Sequence, residues 1–200
     1  MISRWVRTWH GEVLRPFLLF LARLGIRPDT LTIASLIFVI VAGVLFGAGR
    51  IEAAAWALLV GSILDGLDGA LARAMERSTR LGSFLDSVFD HYGDFAIYLG
   101  LLVYFLNQGQ RLQVYLIFAA MFGSLVGSQI RSRAGMLGIE TKTVGVFTRF
   151  ERVLVLEAGV FTHLLPIAIW ILAIGNNFSA LQRLVLILRQ APEADQGKPS

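Results

Sequence analysis

The stretch DGLDGALARAMERSTRLGSFLDSVFD, residues 65–90, places four aspartates between two apolar segments of the chain. Asp65 and Asp68 are three residues apart, and Asp86 and Asp90 are four apart, so each pair shares one face of a helix. The polar residues between the two pairs are suited to a turn. If the two helices pack antiparallel around that turn, all four carboxylates converge at one end of the helix pair.

Carboxylates that converge in this way repel one another, and partial burial makes their ionisation costlier still. A cluster of oxygen ligands without His or Cys predicts a hard cation, Mg²⁺ or Mn²⁺, with room for two ions. Gly69 and Gly82 would let a ligand or another helix approach the backbone closely, and Arg73 could contact a phosphate. Two plainer interpretations stay open, namely helix packing for the small residues and a solvated face for the acids.

The composition indicates a membrane protein. The chain has 200 residues, of which 56% are hydrophobic, and it contains no cysteine. Soluble domains are less apolar than this, and the missing cysteines exclude disulfides and thiolate metal sites. The net charge of +4 is therefore attributed to an anionic membrane surface and not to nucleic acid.

The predicted fold class is an all-α integral membrane protein with six transmembrane helices and a preceding interfacial helix. Residues 1–27 mix arginines with large apolar residues, which is typical of an amphipathic helix lying in the interface. Residues 28–190 are predicted to form the transmembrane domain that carries the aspartates, and the polar residues 191–200 are predicted to be a disordered tail. The hydropathy pattern places the six spans at 30–48, 52–75, 81–106, 111–134, 148–163 and 165–188.

The basic residues indicate the orientation. With six spans, only Arg50 and Arg111 of the 18 lysines and arginines fall on one side of the membrane. Because the side richer in Lys and Arg faces the cytoplasm, both termini are predicted to be cytoplasmic, as is the aspartate cluster. The predicted location is the cell membrane.

The spacing Asp65-x2-Asp68-Gly69-x2-Ala72-Arg73-x8-Gly82-x3-Asp86-x3-Asp90 resembles the signature of the CDP-alcohol phosphotransferase family. The resemblance implies transfer of a phosphatidyl group from CDP-diacylglycerol to an alcohol, with release of CMP. It also implies that the four aspartates hold the divalent metals and that Asp90 is the general base. Members of this family are commonly homodimers. The residues that the resemblance assigns to the CDP-linked donor are Pro28, Asp29, Thr32, Asp65, Gly69, Arg73, Thr79 and Gly82, although Asp29 replaces a commoner asparagine.

Arginines at several predicted cytoplasmic helix ends could form a pocket for an acceptor that carries a phosphate. The arrangement is similar to that of prokaryotic phosphatidylinositol-phosphate synthases within the family, and it implies inositol 1-phosphate as the acceptor. The residues expected to bind its phosphate are Ser128, Arg131, Arg133, Arg149, Arg152 and Arg183. Three alternatives stay open: topology anchors for the arginines, glycerol 3-phosphate as the acceptor of a phosphatidylglycerophosphate synthase, and an ion-coupled transporter.

Overall fold

The computed structural model describes residues 15–75, 79–136, 139, 145 and 147–196, and every regular element within these ranges is a helix. The helices follow one another with short connections wherever the connection is described. In chain order they are α1 (Arg15–Arg23), α2 (Pro28–Gly47), α3 (Ile51–Ala74), α4 (Arg80–Asn107), α5 (Arg111–Met136), α6 (Arg149–Phe161) and α7 (Leu165–Gln196).

Local sequence determines where several of these helices begin and end. Pro28 opens α2, a position where its missing N–H costs nothing. The turn from α2 to α3 requires Gly49, whose φ of +75° lies in the left-handed region that favours glycine. Thr79 caps α4, because its side chain accepts a hydrogen bond of 2.9 Å from the amide of Gly82.

The helices pack into one bundle around a shared apolar core. Helix α2 lies against both α3 and α4, helix α5 lies against α7, and α6 contacts α3 and α7. A smaller apolar cluster joins α1 to α2 and α3 through Leu18, Leu31 and Leu71. The largest fully buried side chains of the main core are Phe46, Phe105, Leu58, Leu101, Ile117, Ile169 and Leu172.

Small residues allow α2 and α4 to approach each other closely. A Cβ atom added at Gly100 would lie 2.0 Å from the carbonyl oxygen of Gly43, and one added at Gly43 would lie 2.4 Å from the carbonyl oxygen of Ala96. Helix packing therefore explains these two glycines. It does not explain Gly66, where an added Cβ would have no neighbour within 4 Å.

Within the described residues, four helical segments are long and apolar enough to cross a membrane: α2, α3, α5 and Leu165–Gln190 of α7. Helix α4 carries Asp86 and Asp90, and α6 has only 13 residues. Large apolar side chains cover the outside of the bundle, among them Val44 at 67% exposure and Phe122 at 62%. Such a surface suits lipid and not water, so the chain is a multi-pass membrane protein.

Helices α2 to α7 coincide in order with the six predicted spans. At the N-terminus, residues 1–14 of the predicted interfacial helix lie outside the described residues, and α1 covers only its second part. At the other end, α7 continues to Gln196, and residues 197–200 of the predicted tail lie outside the described residues.

Candidate active site

Three of the predicted metal ligands lie together. Asp65 and Asp68 come from the last turns of α3, and Asp86 comes from the second turn of α4. Each offers a carboxylate oxygen, and the three oxygens lie within 4.8 Å of one another. A compact set of carboxylate oxygens with no nitrogen or sulfur suits Mg²⁺ or Mn²⁺. The convergence that the sequence predicted for these three aspartates is thus observed, and we call them the carboxylate trio.

Thr32, near the start of α2, contacts the most buried member of the trio. Its hydroxyl lies 2.5 Å from Oδ2 of Asp68 and 3.2 Å from the carbonyl oxygen of Pro28. Asp68 is only 6% exposed, so a hydrogen bond from Thr32 fixes a carboxylate that water scarcely reaches. Thr32 therefore lies beside the carboxylate trio, one turn after Pro28, and Asp29 is exposed.

Asp90 lies next to the trio and is connected to it by an arginine. Nη1 of Arg149 donates to Oδ1 of Asp65 over 2.8 Å and also donates to Oδ1 of Asp90. Arg149 is the first residue of α6, where Thr148 and Glu151 form a capping box. The sequence predicted Arg149 at the acceptor phosphate; in this structure its guanidinium bridges Asp65 and Asp90.

Two adjoining cavities meet at Asp90 and Arg149. The smaller cavity, with about 210 Å³ of empty volume, is lined by Asp65, Asp86 and Thr32 as well as by these two residues. The larger has about 430 Å³ and we call it the arginine cavity. Its polar lining consists of Ser87, Asp90, His91, Asp94, Ser124, Ser128, Arg131, Thr148, Arg149, Arg152 and Arg183. Five of the six predicted acceptor residues thus line one cavity beside Asp90, and Arg133 does not.

Existing contacts hold two of the cavity's arginines in place. Arg152 donates to Oδ2 of Asp94 over 2.6 Å. Arg183 is buried and donates to the carbonyl oxygen of Gly127 over 3.0 Å. Because their guanidinium groups are fixed at the wall, these arginines present preorganised positive charge to the cavity.

Asp94 is a site residue that the sequence indicated only weakly. It accepts hydrogen bonds from Arg152 and, over 3.1 Å, from the hydroxyl of Ser124. Its four-residue spacing from Asp90 was the available signal, and that spacing favoured a supporting or packing role over a site residue. The capping box at Thr148 and Glu151 was also visible in the sequence, as a T-x-x-E pattern before an apolar segment.

The remaining donor residues lie at the end of α3 and the start of α4. Arg73 is exposed, and its Nη1 would be 3.3 Å from a Cβ atom added at Gly69. Thr79 and Gly82 are joined by the cap of α4. Residues 76–78, which connect the two helices, lie outside the described residues. Gly69 and Arg73 follow Asp68 on α3, and Thr79 and Gly82 precede Asp86 on α4, so these four predicted donor residues lie near the trio along the chain.

Comparisons with known proteins agree with this arrangement. A family model for CDP-alcohol phosphatidyltransferase matches residues 25–188. The chain is 34% identical to the phosphatidylinositol phosphate synthase of Streptomyces avermitilis, over 98% of this chain and 86% of that protein. It is 32% identical to the archaetidylinositol phosphate synthase of Pyrococcus horikoshii, over 82% of this chain and 85% of that protein.

Solved structures are similar as well. A crystal structure of Mycobacterium tuberculosis phosphatidylinositol phosphate synthase with CDP-DAG bound has a TM-score of 0.82 at 27% identity, covering 94% of this chain and all of that one. Another, in complex with manganese and citrate, has a TM-score of 0.79 at 28% identity, covering 86% and 88%. The family model spans most of the sequence, and the helical bundle holds a carboxylate trio beside an arginine cavity. The chain therefore belongs to the CDP-alcohol phosphatidyltransferase family.

Proposed function

We propose that this protein transfers the phosphatidyl group of CDP-diacylglycerol to inositol 1-phosphate, giving phosphatidylinositol phosphate and CMP. The observation that carries the proposal is the arginine cavity, in which Arg131, Arg149, Arg152 and Arg183 surround a space that also borders Asp90. A phosphate bound by these arginines would place the rest of the acceptor beside the aspartates. The names of the relatives support the same acceptor.

The carboxylate trio supplies the metal site of this reaction. Asp65, Asp68 and Asp86 would hold one divalent ion, Mg²⁺ or Mn²⁺, and Asp90 lies close enough to complete a site for two. When bound, the cations neutralise the diphosphate of the donor and stabilise the departing CMP. The likeness to a structure solved in complex with manganese supports this assignment.

Asp90 is the proposed general base. Its carboxylate borders both cavities, so it lies between the metal ligands and the acceptor. As the acceptor hydroxyl oxygen bonds to the phosphorus that carries the diacylglycerol, its proton passes to Asp90. The bond between that phosphorus and the bridging oxygen breaks, and CMP leaves with the oxygen. A positioned carboxylate contributes roughly 10²- to 10⁴-fold to such a step.

The donor and the acceptor would enter from different directions. We assign the cytidine diphosphate to the rim formed by Gly69, Arg73, Thr79 and Gly82, together with the first turn of α2 that carries Pro28, Asp29 and Thr32. Exposed Arg73 can reach a phosphate, and the absence of a side chain at Gly69 leaves room beside it. The acceptor phosphate would bind Ser128, Arg131, Arg149, Arg152 and Arg183, while Arg133 contributes only to the positive field around the entrance.

The bundle would lie in the cell membrane with all six helices α2 to α7 as spans and α1 at the cytoplasmic interface. The termini and the active site would face the cytoplasm, as the distribution of arginines favours. The two acyl chains of the donor would then stay in the lipid while its nucleotide reaches the aspartates at the membrane edge. We further propose a homodimer, for which the apolar outer surface offers ample area.

The test is release of CMP by the purified full-length protein in detergent, with CDP-diacylglycerol and Mg²⁺ or Mn²⁺. Inositol 1-phosphate, glycerol 3-phosphate, free inositol and serine serve as alternative acceptors. Release with inositol 1-phosphate but not with free inositol supports the arginine cavity as a phosphate site. Release with glycerol 3-phosphate alone keeps the reaction and overturns the acceptor. No release with any acceptor overturns the donor.

A further inference from the structure

Arg149 occupies a position that two parts of the proposed reaction need. Its Nη1 donates to Asp65, a member of the carboxylate trio, and to Asp90, the proposed base. The same side chain also lines the arginine cavity. One guanidinium therefore contacts a metal ligand, the base and the expected acceptor site.

This pairing conflicts with the roles of both aspartates. A guanidinium keeps its positive charge at any working pH, so it competes with a divalent cation for the carboxylate of Asp65. On Asp90 it occupies an oxygen that would otherwise be open to the proton of the acceptor. Since Arg149 cannot lose its charge, the conflict is relieved only if the guanidinium moves.

The arginine cavity is where the guanidinium can go. Nε of Arg149 already lies 4.0 Å from Oδ1 of Asp94, on the side of that cavity. Arg149 is the first residue of α6, so a rotation of its side chain leaves the helix behind it unchanged. A phosphate in the cavity offers the bidentate partner that guanidinium favours and replaces the ion pairs that are given up.

We propose that Arg149 is a positioning residue that couples the carboxylate trio to the arginine cavity. Without a divalent cation it pairs with Asp65 and Asp90; with one, it turns to the acceptor phosphate and releases Asp90 to act as the base. The inference rests on the proposed function only in that the acceptor carries a phosphate. It makes the metal a condition for Arg149 to contribute to acceptor binding.

Coupling of this kind is reciprocal, because each ligand must raise the affinity for the other by the same factor. Typical coupling between two sites on one protein is on the order of 5- to 150-fold. Removing Arg149 also removes a competitor for Asp65. The apparent affinity for the metal should then rise, because the cation no longer has to displace a guanidinium from Asp65 before it binds.

The experiment is calorimetric titration of inorganic phosphate into the full-length protein in detergent, with and without Mg²⁺ and without any CDP-linked donor. Wild type should bind phosphate about fivefold or more tightly when Mg²⁺ is present. Arg149→Gln should weaken phosphate binding only with Mg²⁺, and it should bind Mg²⁺ more tightly than wild type when phosphate is absent. Arg152→Gln is the matched control, because Arg152 lines the same cavity but pairs with Asp94. It should weaken phosphate binding equally in both conditions.

Two results would overturn the coupling. The first is that Arg149→Gln weakens phosphate binding equally with and without Mg²⁺. The second is that Arg149→Gln binds Mg²⁺ no more tightly than wild type does. If that variant fails to fold, Arg149→Met gives the same readout, because methionine also fills the space of an unbranched side chain but carries no charge. No donor is present, so a failure of this test is separate from a failure of CMP release.

Discussion

At the scale of single residues, the aspartates differ because their partners differ. Asp68 is buried and accepts a hydrogen bond from Thr32. Asp65 and Asp90 share the guanidinium of Arg149. Of the aspartates that line the two cavities, Asp90 is the one that borders both, so identical side chains on α3 and α4 are suited to different tasks.

Asp90→Asn should abolish most of the turnover without unfolding the protein. The amide keeps the size of the side chain but cannot take a proton, so kcat should fall about 10²- to 10⁴-fold. The measurement is CMP release at saturating acceptor, alongside the thermal unfolding midpoint. The control is Glu52→Gln. Glu52 is exposed on the first turn of α3, far along that helix from Asp65 and Asp68, so this change should leave kcat and the unfolding midpoint unaltered. A variant with wild-type kcat would refute the role of Asp90 as the base.

Thr32→Val should weaken metal binding. The valine cannot donate to Asp68, so the buried carboxylate loses the hydrogen bond that orients it. Loss of such a supporting partner typically costs 10- to 100-fold in metal affinity. Titration with Mn²⁺ measures it. The control is Thr162→Val, because the hydroxyl of Thr162 donates to a local backbone acceptor, the carbonyl oxygen of Ala158. If Thr32→Val binds Mn²⁺ as tightly as Thr162→Val does, the prediction is wrong.

At the scale of helices, the sequence could predict which residues share a helix face but not which residues of distant helices contact each other. The three- and four-residue spacings were enough to place Asp65 with Asp68 and Asp86 near Asp90, because helical periodicity is local. Nothing local indicates that Arg149 reaches an aspartate 84 positions earlier in the chain. That contact depends on where α6 packs, which follows from the shape of the whole core.

Buried polar pairs in the core illustrate the same limit. Asn176 of α7 donates to the hydroxyl of Tyr98 on α4 over 3.0 Å and to the carbonyl oxygen of Ala120 over 2.8 Å. Read alone, an asparagine in an apolar helix indicates only that some partner is needed. The partner is determined by how α7 packs against α5, so the sequence could not supply it.

Gly100→Ala should destabilise the bundle through the contact of α2 with α4. The new methyl group would lie 2.0 Å from the carbonyl oxygen of Gly43, and backbone cannot move aside as a flexible side chain can. Overpacking of this kind typically costs about 1–3 kcal/mol, which should appear as a lower thermal unfolding midpoint in detergent. Gly135→Ala, where an added Cβ would have no neighbour within 4 Å, should not lower it. Equal unfolding midpoints for the two variants would show that α2 and α4 can move apart without loss of stability.

At the scale of the whole molecule, alternating helix directions bring the site to one end of the bundle. Thr32 lies near the start of α2, the pair Asp65 and Asp68 near the end of α3, and Asp86 near the start of α4. The same alternation puts Ser128 near the end of α5 and Arg149 at the start of α6. A substrate with acyl chains in lipid and a nucleotide in water needs its catalytic groups at such an edge.

The orientation of the bundle can be tested directly, because the chain contains no cysteine and single cysteines can be introduced without background. Gln108, in the turn between α4 and α5, should face away from the cytoplasm. Gln190, exposed on α7, should face the cytoplasm. In intact cells, a membrane-impermeant maleimide should therefore label Gln108→Cys and not Gln190→Cys.

Inverted membrane vesicles should give the opposite pattern, which controls for differences in reactivity between the two positions. The physical basis is the excess of arginine on the side of the active site, which the positive-inside rule assigns to the cytoplasm. If Gln190→Cys were labelled in intact cells and Gln108→Cys were not, the aspartates would face outwards. A soluble phosphorylated acceptor made in the cytoplasm could then not reach the arginine cavity, and the proposed acceptor would fail with the orientation.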